Sequence, residues 1–255
     1  MRETQIYNYY MFGYNYYLLS NENNNILVHG KPDSLITRID EFFNTLKELD
    51  LQVTQTAAIA LTKIRDKLES LPKETKIDIN LAKEVQAAIQ TIDATLDAEL
   101  KLRSAFIVTP KRFQLNHMLK APQSLFGSSI FENLSTISQF DFREGARCVA
   151  FGLPTAAAFH IMRGTEGVLR HYYCSIVKRD RVKVLLWHAM VDHLRKRRDA
   201  PPKPLTDNLD NIRGNFRNPT QHPDARYDME EAQDLFALSL DVVNRMIKDI
   251  SKREA

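Results

Sequence analysis

Two apolar stripes restrict this chain more than any other feature. Leu35, Ile39, Phe42, Leu46, Leu49 and Val53 recur at alternating steps of four and three, and Val85, Ile89, Ile92, Leu96 and Leu100 repeat the pattern after Pro72. Such spacing lines one face of an α-helix, because residues three and four apart come to the same side. A helix with one apolar stripe cannot bury it alone. Residues 33–105 therefore read as an antiparallel helical hairpin or arm, begun by a cap on Asp33. Each stripe must pack on the other, on the rest of the chain or on a second subunit.

The helical period returns toward the C-terminus, so the expected fold class is all-α. Between Phe106 and Phe140 the period is lost, and Pro110, Pro122, Gly127 and several serines mark a connector, held to the surface by Phe113, Phe126 and Phe131. From Asp141 to residue 255 a bundle is expected. One helix runs to Phe151 and is closed by Gly152, and the next opens on Pro154 and continues to about Val177. A third covers Val182 to Arg197 and a fourth Leu205 to Phe216. The last begins at Asp228, with Glu231 as the other half of a capping box.

Residues 1–32 stand apart. Tyr7, Tyr9, Tyr10, Tyr14, Tyr16 and Tyr17 are six of the nine tyrosines, and the polar run Asn21 to Asn25 follows them. A short β-hairpin or an extended interface strand is expected here, with the polar run as its turn. The rings suit protein contact better than stacking on nucleobases, so residues 1–102 are the candidate surface for a protein partner.

Several function classes drop out. No run of about 18 uncharged apolar residues exists, so no membrane span is expected. The segment Tyr9 to Leu19 is broken by Asn15 and lacks a small-residue cleavage pattern, so it does not read as a signal peptide, and a cytoplasmic location is the default expectation. Cys148 and Cys174 are too few for a disulfide framework or a four-cysteine zinc site and are expected to be buried and inert. His188 and Asp192 are one turn apart on a helix but His193 points away from His188, so no third ligand stands at metal spacing, and no Gly-rich phosphate loop occurs. No cofactor and no metal are therefore expected. His160 reads as a core histidine with a satisfied hydrogen bond.

One segment carries chemistry. In Arg217-Asn218-Pro219-Thr220-Gln221-His222-Pro223 a guanidinium and an imidazole stand five residues apart, with an amide directly after the arginine. A guanidinium stays charged and can neutralise a developing phosphorane, while an imidazole titrates near neutrality and can move a proton. Pro219 and Pro223 are expected to push Asn218 and His222 out of helical geometry into a short rigid loop. Residues 170–226 carry thirteen Lys or Arg against six Asp or Glu. Clusters at Lys178, Arg179, Arg181 and Lys183 and at Arg195 to Arg198, together with Arg213, suit a polyanionic partner. Arg163, Glu166 and Arg170 share a helix face and either line the site or form a surface ion-pair ladder.

A helical bundle that ends in Arg-polar-x(3 to 5)-His before a final helix resembles the HEPN superfamily. Arg217 to His222 matches the motif in its shortest form, and Arg147 to Arg163 is similar to the helices that open HEPN-like domains of bacterial proteins. The resemblance covers residues 135–252 and leaves out the tyrosine-rich start and the arm. It implies a metal-independent endoribonuclease, active as a homodimer whose two Arg-His loops face each other. Members act in phage defence, toxin systems or RNA processing. By the same resemblance His222 helps the 2′-hydroxyl attack the adjacent phosphate, Arg217 stabilises the phosphorane and Asn218 orients one of them. Some toxin branches have an aromatic residue two places after the histidine, where this chain has Asp224. Some HEPN domains lack activity, so a non-catalytic module for RNA or protein binding is the alternative.

Overall fold

The computed structural model describes residues 4–21, 26–30, 33–220, 224 and 226–254. These fall into two compact units, Met1–Phe106 and Ile107–Ala255, and all of the regular structure is helical apart from one isolated bridge.

Unit one contains α1 (Ile6–Ser20), α2 (Leu35–Glu48), α3 (Gln52–Ala57), α4 (Ile59–Glu69) and α5 (Ile79–Lys101). The two stripes do meet, with Leu35, Ile39, Phe42 and Leu46 in one core with Val85, Ile89, Ile92 and Leu96. The first stripe is not one helix, however. Asp50 adopts a left-handed φ of 55°, which ends α2 and turns Val53 outward to 58% exposure. Glu99 on α5 then accepts the Val53 and Thr54 N–H groups at 3.0 and 2.8 Å, so a carboxylate satisfies the open N-terminus of α3. The cap of α2 is Ser34 instead of Asp33.

The tyrosine-rich segment is a helix, which overturns the expected hairpin. Phe12 and Leu19 are buried, Tyr16 packs beside them, and Phe12 stacks on Phe42 at 5.5 Å between ring centroids. Asn15 donates to Glu41 at 2.8 Å and Tyr16 donates to Asp93. Six tyrosines suggest a strand by propensity, yet the i, i+4, i+7 burial of positions 12, 16 and 19 decides the backbone. Residues 22–25 of the expected turn lie outside the described residues. An antiparallel bridge joins Leu27 to Lys76.

Unit two contains α6 (Leu115–Lys120), α7 (Thr136–Ala150), α8 (Pro154–Ile176), α9 (Trp187–Arg195), α10 (Lys203–Ile212), a π-helical turn Arg213–Arg217, α11 (Asn218–Thr220) and α12 (Met229–Glu254). Helix α8 packs against both α7 and α12. Small residues let α7 and α8 approach closely. A Cβ on Gly145 would lie 2.8 Å from Ile161 Cγ1, and one on Gly164 would lie 3.1 Å from the Phe142 ring. The connector reaches deeper than a surface strap, since Met118, Phe126, Ile130, Phe131 and Leu134 are buried in the same core as Phe142.

Helix α7 starts five residues ahead of Asp141, because Ser135 caps it by accepting the Ser138 N–H at 3.2 Å. Helix α9 is shorter than expected: Asp180 is left-handed at φ 53°, and Val182 donates its N–H to the Tyr173 hydroxyl at 2.9 Å. Gly152 at φ 74° and Pro154 end and open α7 and α8 as expected. The capping box also forms, with Glu231 N–H on Asp228 Oδ1 at 2.8 Å and Asp228 N–H on Glu231 Oε2 at 2.9 Å. Among the described residues no helix is long and apolar enough to cross a membrane.

Candidate functional site

Arg217 closes the π-helical turn that follows α10. In this turn the Asn218 N–H reaches back to the Arg213 carbonyl, five residues away. Asn218 itself is helical, at φ −66° and ψ −49°, so Pro219 does not force it out of the helix. A proline ring in a regular α-ladder meets the carbonyl four residues back, and widening the preceding turn to five-residue pairing relieves that conflict. Pro223 and His222 lie outside the described residues, as does Gln221.

Phe216 and Tyr227 are in direct contact. The Tyr227 hydroxyl donates to the Phe216 carbonyl at 2.8 Å, and the two rings stack at 6.2 Å and 22°. Tyr227 also donates its N–H to Thr155 Oγ1 on α8 at 3.3 Å. Residues 216 and 227 are thus held together on the side of unit two formed by α8.

Arg217 faces α8. Its Nε lies 3.7 Å from Glu166 Oε2, while Arg170 Nη2 donates to Glu166 Oε1 at 2.6 Å. Only the Glu166–Arg170 half of the expected ladder forms, and the same carboxylate also meets an arginine from the π-helical turn. Arg163, one turn before Glu166, is bound twice to Asp141, through Nε at 2.7 Å and Nη2 at 2.5 Å. That pairing raises the Arg163 pKa above its ordinary value. Arg163, Glu166, Arg170 and Arg217 line an open cavity of about 370 Å³, with Ile137, Phe159 and Met162 as its apolar wall. The arrangement sets three guanidinium groups and one carboxylate over an apolar floor.

The other expected contacts lie elsewhere. Lys178, Arg179, Arg181 and Lys183 follow the C-terminal end of α8, roughly 15 Å along the helix axis from Glu166 at the usual rise per residue. Arg181 is occupied in closing that end, donating to the Val177 carbonyl at 2.6 Å and the Cys174 carbonyl at 3.0 Å. Lys178, Arg179 and Lys183 are exposed and make no ion pair among the described residues. Arg195 pairs with Asp207 and Asp210, Arg197 with Asp199 and Arg213 with Asp210. Asn218 is exposed.

His160 is half-exposed instead of buried, and its Nδ1 is 3.0 Å from Asp141 Oδ1. Cys148 and Cys174 are only partly buried, and burial followed by the Glu144 charge pushes the Cys148 thiol up. His193 hydrogen-bonds the Tyr173 hydroxyl at 2.6 Å. Among the described residues no group of three or more His, Cys, Asp and Glu is placed to hold a metal ion.

Sequence reasoning missed Asp141 and the Tyr227 clamp. The repeat of polar groups at 160, 163, 166 and 170 on one helix was a visible signal, but nothing local said that a carboxylate from α7 would meet them. The chain matches no family model, no curated protein and no solved structure in the three comparisons.

Proposed function

We propose that this chain is a metal-independent endoribonuclease of HEPN type in which Arg217 and His222 cleave RNA by 2′-hydroxyl attack. The observation that carries the reading is the place of Arg217: the motif's guanidinium lines a cavity of about 370 Å³ beside Arg163 and Arg170. In the proposed reaction His222 accepts the 2′-hydroxyl proton, the 2′-oxygen attacks phosphorus and Arg217 neutralises the phosphorane. Asn218 orients one of these groups. The products carry a 2′,3′-cyclic phosphate and a 5′-hydroxyl. Lys178, Arg179 and Lys183 attract the RNA backbone toward unit two through a salt-screened field.

The active species is a homodimer that sets two Arg-His segments against one phosphodiester. Ile137, Phe140 and Phe159, exposed by 68%, 51% and 55%, supply apolar surface beside the cavity for a second copy. A role in phage defence or as a toxin effector in the cytoplasm fits such an activity.

The test is RNA cleavage in the presence of EDTA by the wild type, His222→Ala and Arg217→Ala. Cleavage by the wild type alone, with all three proteins folded, is the expected result. Undiminished cleavage in either variant, or dependence on added metal, overturns the proposal. One observation favours a second reading. Glu166 sits between Arg170 and Arg217 and takes up charge that a phosphate needs, which suits a module that binds RNA without cutting it. Retarded RNA mobility with no cleavage product is the outcome that selects it.

A further inference from the structure

We infer that the outward face of α1 pairs with the same face of a second copy of this chain, the two helices lying antiparallel about a two-fold axis at Gly13. The inference concerns unit one alone and stands whether or not the chain cuts RNA.

Helix α1 has two faces. Phe12, Asn15 and Leu19 are its buried residues. On the opposite side Tyr7, Tyr10, Tyr14 and Tyr17 recur at steps of three, four and three, the spacing of a seam between paired helices, with Ile6 and Tyr9 beside them. All six are exposed, the tyrosines by 40% to 65% and Ile6 by 71%. Tyr7 and Tyr10 pack together at 6.1 Å between ring centroids, so part of this face is ordered before any partner arrives. A solvent-facing helix surface is usually charged, whereas Ile6 to Ser20 contains no Lys, Arg, Asp or Glu.

Gly13 marks the centre of the pairing. It is the middle residue of the fifteen in α1, and only proline is a weaker helix former than glycine. Among the described residues nothing comes within 4 Å of a Cβ built there, so packing inside the chain does not account for it. A missing side chain in an exposed face leaves a notch through which another backbone can approach closely. Tyr9 and Tyr17 stand one turn before and one turn after that notch. In an antiparallel pair centred on Gly13, Tyr9 faces Tyr17 of the partner subunit. The contact then occurs twice, as an isologous interface requires, and sets aromatic ring against aromatic ring.

Area and charge favour a second copy as the occupant. The exposed parts of the five rings come to roughly 400–700 Å² per chain, taking about 150–250 Å² for a whole aromatic side chain. Two copies together therefore bring about the 1,000 Å² that a specific interface needs, before Ile6 is added. An uncharged helix meets its own copy without like-charge repulsion, and tyrosine is enriched in protein interfaces. A membrane-surface helix carries Lys or Arg on its polar face, and a nucleic-acid surface carries cations for phosphate. Helix α1 has neither.

Sedimentation velocity of the full chain, from dilute solution up to about 100 μM, tests the pairing across the micromolar limit of interfaces of this size. Ile137→Asp puts a charge on the apolar surface of unit two, so that association through that surface does not mask α1. This variant is expected to form a dimer. Adding Gly13→Arg brings two guanidinium groups together at the axis and should weaken that dimer by at least about a hundredfold, because like charges juxtaposed in an interface are strongly unfavourable. Gly13→Ala should act in two directions. It should raise the thermal midpoint of the dilute chain, since alanine is the better helix former, and weaken the dimer by about tenfold by filling the notch. An Ile137→Asp chain that stays monomeric over the whole range overturns the inference, as does a dimer that Gly13→Arg leaves unchanged. Should Gly13→Arg melt early, Gly13→Ala decides. A monomer that instead floats with phosphatidylserine vesicles overturns it in favour of a membrane surface.

Discussion

Unit one buries Asn15, Ser34 and Thr54 but no charged side chain among its described residues, whereas unit two encloses Asp141 without exposure between a histidine and an arginine. Both units are helical and both have aliphatic cores. Their ion pairs differ in one respect. In unit one they lie on the surface, such as Arg65 with Asp40 and Lys67 with Glu84, where such pairs contribute little. Unit two has surface pairs as well, such as Arg245 with Asp241, but its pairs at Asp141 and Glu166 gather on α8, where Arg163, Glu166 and Arg170 line one cavity. A helix bundle needs only apolar burial to fold, so charge placed against that need marks the unit where chemistry is sought.

The largest expected effect separates the units by stability. Phe42→Ala removes a fully buried ring from the centre of unit one and is expected to cost about 4 kcal/mol. Calorimetry should show an earlier transition, with RNA cleavage unchanged below it. Cleavage that falls in parallel well below that transition breaks the comparison, because it makes unit one part of the active machinery.

The next effect separates them by chemistry. Arg217→Ala is expected to lower the RNA cleavage rate by about 10²- to 10³-fold, as loss of one donor to a charged transition state does. The midpoint of thermal unfolding should stay close to that of the wild type. A large fall in that midpoint with modest loss of rate would instead make Arg217 a structural residue.

Smaller effects sharpen the contrast. Asp228→Ala removes one half of the capping box on α12 and is expected to cost about 1 kcal/mol in denaturant unfolding of unit two. Alkaline titration should act on unit one. Burial, followed by the hydrogen bond to Asp93, pushes the Tyr16 hydroxyl from its ordinary 10.0 up to about 12. The folded state therefore holds its proton where the unfolded chain has released it. The Tyr16 contribution is complete below pH 10 and is lost as pH rises toward about 12. Its size is on the order of 1 kcal/mol after solvent screening of a partly exposed pair. Tyr16→Phe should flatten that part of the stability profile.

Much of the helical fold was legible because apolar period and end signals are local. The stripes on α2 and α5, the end of α7 at Gly152, the start of α8 at Pro154 and the Asp228–Glu231 box can each be read within a few residues. The failures have a common cause. Residues 6–20 carry strand-favouring tyrosines, and only burial of Phe12 and Leu19 against α2 and α5 shows which period counts. Residues 107–135 look irregular because their short helical turns are too brief for a period, although their phenylalanines belong to the core. At the site, the likeness of Arg217 to His222 to a nuclease motif could be seen in the chain, whereas the helical state of Asn218 before Pro219 could not.

The order of amino acids determined that the chain is built of amphipathic helices, that positive charge gathers between residues 170 and 226, and that Arg217 precedes a histidine by five positions. Tertiary structure alone decided that Glu166 faces Arg217, that Tyr227 returns to Phe216 and that Asp141 reaches across to His160 and Arg163. Period and caps act over one or two helical turns, so a sequence displays them directly. Contacts between α7, α8 and the turn after α10 depend on how closely helices approach. That distance is set by small residues such as Gly145 and Gly164, whose importance shows only when the facing helix is in place.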